Sequence, residues 1–576
     1  MSDTTLPALA SVRRLPNLLD AAAMIVIAAG IVALATSARH TLGPIGAGGA
    51  TVIHLDPAYL PAYALRTTLR MFAALACSLL FTFTYATWAA KSRRAGLLLV
   101  PLLDILQSVP ILGFLSFTVV FFMGLFPGRV LGAELAVVFA IFTSQAWNMA
   151  FSLYQSLTTL PADLDEACRG FRLSAWQRFW RLEVPFAMPG LVWNTMLSLS
   201  GGWFMVVASE AISVGDTTFK LPGIGSYVAT ALDGRDIGAV GYAILAMLVV
   251  ILLYDQLLFR PLVAWSAKFR FETTQVAQAK DPWVLALLRR TQFLRWCVNR
   301  CGDLFTAVSG LRLSPGLRPR AARLPSRARS RALDRAWLAV LGVVVALALW
   351  RIVAFCSDTL SLGDLATAFV LGCYTLARVL VLIVLASALW VPVGVWLGLR
   401  PVWARRAQPV VQFLAAFPAN LFFPIFVVAI VHFALDPQIW LTPLMILGTQ
   451  WYILFNVIAG AAAFPGDLQE VSANFRVGGL LWWRRVILPG IFPYFVTGVI
   501  TASGGAWNAA IVSEVASWGD TKLHASGLGS YIADATAAGN TPRVVLGVVV
   551  MSGFVVTCNR FCWRPLYAYS TRRLTL

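Results

Sequence analysis

Twelve long apolar runs dominate this chain of 576 residues. A helix crossing the hydrocarbon core of a bilayer needs about 20 mostly apolar residues. One set of runs lies near 21–37, 66–90, 96–125, 132–157, 189–213 and 238–258, and a second near 336–356, 367–398, 408–432, 438–460, 490–513 and 542–559. The expected fold class is therefore an all-α polytopic membrane protein of about 12 transmembrane helices. Pro101, Pro110, Pro418 and Pro424 fall inside the longer runs and mark places for kinks or re-entrant turns.

Charge gives the orientation. The chain is 59% hydrophobic and 12% charged, about half the charge of a soluble domain, yet its net charge is +19. Segments 1–20, 91–95, 158–188, 260–335, 399–407, 461–489 and 559–576 together hold 35 Lys/Arg and 12 Asp/Glu; the remainder holds 10 and 14. Retention of basic residues on the cytosolic side places these segments, and both termini, in the cytosol. The expected location is a membrane that borders the cytosol, crossed many times. Arg13 and Arg14 precede the first run, but no small-residue cleavage site follows it cleanly, so it reads as a span rather than a signal peptide. Only five of the 45 basic residues are Lys and none follows a Gly, so a phosphate-binding GK[ST] loop is missing. Any ATP and Mg would be bound by partner subunits, and the chain is expected to carry no cofactor and no enzyme site of its own.

The chain is also duplicated. Glu166–Pro185, EACRGFRLSAWQRFWRLEVP, returns as Glu470–Pro489, EVSANFRVGGLLWWRRVILP, and Glu166/Glu470, Phe171/Phe475, Arg172/Arg476, Arg181/Arg485 and Pro185/Pro489 all differ by 304. Trp203/Trp507, Glu210/Glu514, the Gly-Asp-Thr triplets 215–217 and 519–521, and Gly223–Tyr227 against Gly527–Tyr531 keep the same offset. Gln107–Pro110 matches Ala415–Pro418 at an offset of 308. Six spans per copy make the copies parallel, related by a pseudo-two-fold axis along the membrane normal with a path between them. The expected domains are 1–260, a basic linker 261–335 and 336–576. Over 260–335 the linker carries 16 basic and 4 acidic residues. Asp281 and Pro282 suit a helix start, and 283–297 mixes Trp, Leu and Phe with Arg in the manner of an interfacial helix. The Arg-, Pro- and Ser-rich tract 309–331 suits a tether on anionic lipid, a simpler account of its charge than nucleic acid.

The repeated hydrophilic segment resembles the EAA loop of binding-protein-dependent ABC importer permeases, whose pattern is E-A-A-x-x-x-G followed later by a hydrophobic-Pro pair. Glu166, Ala167 and Cys168 with Val184-Pro185 match it; Glu470 with Leu488-Pro489 matches more loosely, and Arg172 and Arg476 stand at the Gly position. Ser174-Ala175-Trp176-Gln177 forms a capping-box pattern opening a second short helix. With SGGAWN at 503–508 and GLGSY at 527–531, both halves look most like the nitrate/sulfonate/taurine/bicarbonate permease group. The resemblance implies a type I ABC importer-like fold, two copies of an ABC ATPase subunit docked on the two loops, a periplasmic or extracellular substrate-binding protein, and transport of a small anion. Glu166, Ala167, Cys168, Arg172, Glu470 and Arg476 would then serve ATPase coupling.

Polar groups inside spans are costly and mark a translocation path or gate. The candidates are Gln107, Gln145, Trp203 and Glu210 in the first copy, with Gln412, Gln450, Trp507, Asn508 and Glu514 in the second. Neutral amide and indole donors can hold a small anion without a fixed charge, although the same residues also serve helix packing. For Glu210 and Glu514, gating, capping or pairing with an Arg compete with solute contact. An ion-coupled secondary transporter using Asp104, Glu210 or Glu514 is the alternative function, and the duplicated loop separates the two because a secondary carrier has no ATPase to dock. Only His40, His54, His432 and His524 are present, and the Cys297/Cys301 and Cys558/Cys562 pairs have no His nearby, so a metal site or a membrane-embedded enzyme is disfavoured. Leu199-Ser200-Gly201-Gly202-Trp203 imitates an ATPase signature but lies in an apolar run, where small residues permit close helix packing.

Overall fold

The computed structural model describes residue 24 and residues 52–109, 111–214, 217–269, 283–284, 290–312, 327–357, 359–464, 466–518 and 521–573. All of the expected run 21–37 except Met24, the Asp281–Pro282 helix start, most of the tract 309–331, the two Gly-Asp pairs at 215–216 and 519–520, and the side chain of Asp104 lie outside the described residues.

Membrane-length helices carry the fold. Among the described residues, seven are long and apolar enough to cross a bilayer, beginning with Pro57–Lys91 and Val130–Thr158 and ending with Gly479–Ser513 and Thr541–Tyr569; two bent pairs raise the count to nine. Two of the runs that do not fold as single straight helices share a cause. The run 96–125 is divided into Arg93–Ser108 and Ile111–Leu125, with Val109 extended at φ −77° and ψ 126°. A proline ring disfavours helical backbone on the residue before it, and Val109 precedes Pro110. In the second copy Pro401–Ala416 ends at Phe417, extended at φ −72° and ψ 131°, ahead of Pro418, and the pair bends by 75°. The run 438–460 is likewise a bent pair, Pro437–Leu447 with Gln450–Ala462, at 44°.

The duplication is structural as well. Each copy has a wide helical turn, Phe179–Glu183 and Trp483–Ile487, directly before the paired prolines Pro185 and Pro489. Each also has a second wide turn, Asp255–Phe259 and Asn559–Trp563. Widening a turn accommodates ring and carbonyl where proline would otherwise break the ladder. Two antiparallel hairpins depart from a purely helical reading: β1 (Ala211–Val214) pairs with β2 (Thr217–Lys220), and β3 (Val515–Trp518) with β4 (Thr521–His524). Their signal was the Gly-Asp dipeptide between short runs rich in β-branched and aromatic residues.

The chain forms two compact units, one comprising 1–39, 161–189 and 256–320, the other the remainder. In the larger unit, Trp203 and Trp507 are buried at equivalent depths, Trp203 edge-on to Tyr254 and Trp507 stacked on Phe554. Close helix approach rests on glycine: a Cβ on Gly202, within the signature-like segment, would lie 2.4 Å from Gln145 Nε2. Leu80 and Val384, by contrast, point outward from their helices, as lipid-facing side chains do.

Gly225 is the tightest of these contacts, its Cβ position only 2.2 Å from the Val207 carbonyl oxygen. Backbone cannot yield as a flexible side chain can, so Gly225→Val is expected to destabilise the detergent-solubilised protein by about 1–3 kcal/mol or more. Gly241→Ala, with open space around it, should leave the thermal unfolding temperature unchanged; equal unfolding temperatures for the two variants would refute the close-approach role.

Candidate functional site

The first copy of the repeated hydrophilic segment is built by its caps. Helix Ala162–Gly170 is followed by Arg172 at φ +51°, and the Leu173 N–H donates to the Cys168 carbonyl at 3.2 Å. This is a left-handed helix ending, the place where glycine is ordinarily favoured. The second copy repeats it, with Arg476 at φ +51° and the Val477 N–H on the Ser472 carbonyl at 2.9 Å. Arginine at the motif's glycine position thus adopts a glycine-like backbone, at a cost of about 1–2 kcal/mol each. The short helix Ala175–Arg178 opens with the expected capping box between Ser174 and Gln177. Asp165 is held by Arg178 at 2.6 Å, and Arg178 reaches Glu183 at 3.1 Å, tying the two helices of the segment together. Burial pushes the Cys168 thiol above its ordinary range, so it is a neutral, small packing residue standing for alanine. Glu166, Ala167, Arg172, Glu470 and Arg476 are exposed, and so are the paired Phe171 and Phe475, at 80% and 77%.

Within the larger unit the two copies enclose a cavity of about 220 Å³. Its polar lining includes Gln107, Asn148, Thr449 and Asn508, and its aromatic lining is Trp147, Phe204, Phe417 and Tyr452; among the described side chains, none that lines it is charged. Gln107 donates to Asn148 Oδ1 at 3.3 Å. The broken helices are pinned across the copies beside it. Asn508 Oδ1 accepts the Ile111 N–H at 2.8 Å, capping the helix that restarts after Pro110. Asn420 Nδ2 donates to the Phe204 carbonyl at 3.2 Å. Of the path candidates, the structure brings Gln107 and Asn508 to this cavity. It places the others elsewhere. Gln145 sits against Met71 and Ser78; Gln412 contacts the Met196 sulfur; Gln450 accepts the Trp390 indole N–H at 2.9 Å; Trp203 and Trp507 are packed in the core.

Glu210 and Glu514 form a pair of buried locks at the hairpins. The Glu210 carboxylate accepts from Arg70 at 2.6 Å, Thr67 at 2.7 Å and the Gly225 N–H at 2.7 Å, while its carbonyl accepts from the Leu221 N–H and the Ser226 hydroxyl. Glu514 repeats this with Arg378 at 3.2 Å, Thr375 at 2.8 Å and the Ser530 N–H at 3.1 Å. Each lock joins a span to its hairpin and the following helix. They differ in one partner: Arg70 also holds Glu134, at 2.6 Å, whereas Arg378 holds the neutral Gln438, at 2.8 Å. Sequence reasoning missed Thr67, Arg70, Thr375 and Arg378, although both copies show the same T-x-x-R spacing at an offset of 308.

The model of the family described as binding-protein-dependent transport system inner membrane component matches residues 82–259 and, a second time, 390–575. These matches take in more than half of the chain, and the chain belongs to that family, as a permease with two fused transmembrane domains. It resembles the nitrate import permease protein NrtB of Leptolyngbya laminosa, with 26% identity covering 30% of this chain and 59% of the relative. The bicarbonate transport system permease protein CmpB of Synechococcus elongatus is 27% identical, covering 31% and 60%. The glycine betaine/proline betaine transport system permease protein ProW of Escherichia coli is 30% identical, covering 28% and 43%. The chain thus spans no more than about 60% of the length of these relatives.

Two outcomes follow from the locks and the helix endings. Arg70→Met leaves Glu210 buried without its cation and should cost about 3–5 kcal/mol. Arg378→Met should cost less, because that pair is longer and its arginine more exposed; thermal unfolding in detergent compares them, and equal losses would argue against the ranking. Arg172→Gly and Arg476→Gly relieve left-handed backbone and should each slow local hydrogen exchange of their loops, by up to about tenfold for 1.4 kcal/mol; faster exchange would contradict the strain.

Proposed function

We propose that this chain is the membrane-spanning permease subunit of an ATP-driven ABC importer. It forms the translocation path for a small solute, and two copies of a separate ATPase subunit, which bind ATP and Mg, drive it from the cytosolic side. A periplasmic or extracellular binding protein delivers the solute, and the chain lies in the bacterial inner membrane with both termini cytosolic. The observation that carries the reading is the twofold occurrence of one coupling-loop geometry, with the same left-handed arginine and the same exposed phenylalanine in each copy. A rigid helix pair presenting an aromatic side chain is suited to seat in a partner and pass on its closure as a rigid-body movement.

The cavity supports a small solute. At about 220 Å³ it is below the roughly 300 Å³ at which drug-sized sites begin. Amide and hydroxyl groups without a fixed cation can hold an anion of the nitrate/sulfonate/taurine type weakly enough to release it. The names of the nitrate and bicarbonate relatives agree with that class. The aromatic lining favours a second class, quaternary ammonium solutes, through cation–π contact. Ion-coupled secondary transport is less well supported, since Glu210 and Glu514 are engaged with arginines and with N–H groups of the following helices and do not line the cavity.

Glu166→Lys combined with Glu470→Lys is expected to abolish solute-stimulated ATP hydrolysis by the complex reconstituted with ATPase and binding protein; undiminished coupling would sink the reading. In the same assay nitrate, sulfonates, bicarbonate and betaines are compared. Asn148→Leu should lower uptake of the true solute while ATPase recovery stays unchanged.

A further inference from the structure

The two coupling loops carry different companions. In the smaller unit the linker forms a helix, Gln292–Gly310, and the end of that helix is fastened to the first loop. The Trp176 indole N–H donates to the Val308 carbonyl at 2.8 Å, and the Gln177 amide donates to the Gly310 carbonyl at 2.8 Å. Phe305 meets the Trp180 ring edge-on at 5.4 Å between centroids. Both hydrogen bonds end on carbonyls of the last helical turn; the Val308 carbonyl also accepts the Leu311 N–H at 3.2 Å, so the indole shares it with the cap. The three loop residues responsible are those that the second copy replaces: at the offset of 304 they become Leu480, Leu481 and Arg484. Neither leucine can donate a hydrogen bond, and Leu480 is 83% exposed. The fastening is therefore specific to the first loop.

The fastened helix also shows a seam. Cys297, Cys301, Leu304 and Val308 recur at spacings of four, three and four residues, which places them on one face, and Leu311 follows as the non-helical residue that caps the helix. Leu304 is 66% exposed, and Val308 and Leu311 are exposed too. Trp296, Val298 and Phe305 extend the exposed apolar surface beside the seam, and the polar residues Asn299, Asp303 and Thr306 share the opposite face. The seam's apolar end is the end bonded to the coupling loop, so a protein seated on that loop abuts the seam.

We propose that the linker helix is part of the seat of the ATPase subunit that docks on the first coupling loop, so that the chain offers two unlike seats. This rests on the reading of the loops as ATPase docking segments. One seat is a composite of loop and linker helix; the other is a bare loop presenting Phe475 and Leu480. A sulfhydryl-free contact surface is not required, because the seam cysteines act here as small apolar residues.

The test is photo-crosslinking in the full complex in vesicles of mixed zwitterionic and anionic lipid. A benzophenone amino acid is placed in turn at Phe171, Phe475 and Leu304. Adducts with the ATPase subunit from all three support the proposal. Adducts from Phe171 and Phe475, with Leu304 marking lipid or nothing, overturn the composite seat and leave the importer reading standing. Failure of both phenylalanine positions overturns the importer reading itself. In a second arm Trp176→Phe removes the indole donor and Phe305→Ala the ring contact. Hydrogen exchange over 302–311 should then rise about fivefold or more, the factor for one net hydrogen bond, and the Leu304 adduct should be lost while the Phe475 adduct persists. A Leu304 adduct retained at full yield overturns the claim that the fastening positions the helix.

Discussion

Every backbone N–H and C=O in hydrocarbon must find a partner inside the protein, and this requirement organises the structure. Helices meet it within one segment, so irregular backbone at membrane depth is tolerated only where it is buried or lines a cavity. The chain uses that allowance at 109–110 and 417–418, where a residue before proline leaves the helix. Both breaks adjoin the central cavity, which Ile111, Phe417 and Ala419 line. The Ile111 N–H freed at the first break is satisfied across the copies by Asn508, and beside the second break Asn420 donates to the Phe204 carbonyl of the other copy. A cavity between the halves and the bonds that join the halves thus have one origin.

The same requirement explains the buried glutamates. The helix that follows each hairpin leaves N–H groups of its first turn to be capped, and a carboxylate can accept such a donor together with side-chain donors. Glu210 and Glu514 do this, and each is balanced by an arginine from a neighbouring span. The pseudo-symmetry is imperfect where it has consequences. Glu134 gives the first lock a second carboxylate, while Gln438 leaves the second lock with one. The linker helix gives the first coupling loop a companion whose contact residues the second loop lacks.

Much of this was legible because it is periodic or repeated. Apolar runs gave the helices, the offset of 304 gave the two copies, and Ser174 and Gln177 gave the capping box. The path residues were less legible. Polar residues in spans advertise that something needs a hydrogen bond, not what supplies it. Gln145, Gln412 and Gln450 proved to bond neighbouring helices, whereas Gln107 and Asn508 reach the cavity. The hairpins were underread because four-residue strands are short beside the spans that flank them. The pairing of Asp165 with Arg178 joins two helices, a contact that spacing within one helix does not report.

The sequence by itself determined an all-α membrane protein made of two parallel copies, its basic segments, and a repeated hydrophilic segment at 166–185 and 470–489. Those properties follow from local rules: hydrophobic length, charge bias and repetition act residue by residue along the chain. Tertiary structure decided which glutamine lines the cavity, which arginine neutralises each glutamate, and that Arg172 and Arg476 stand in left-handed backbone. It also fastened the linker helix to one loop and not to its repeat. Each of these depends on residues tens to hundreds of positions apart, or on a backbone angle, and neither is encoded in spacing along a single helix.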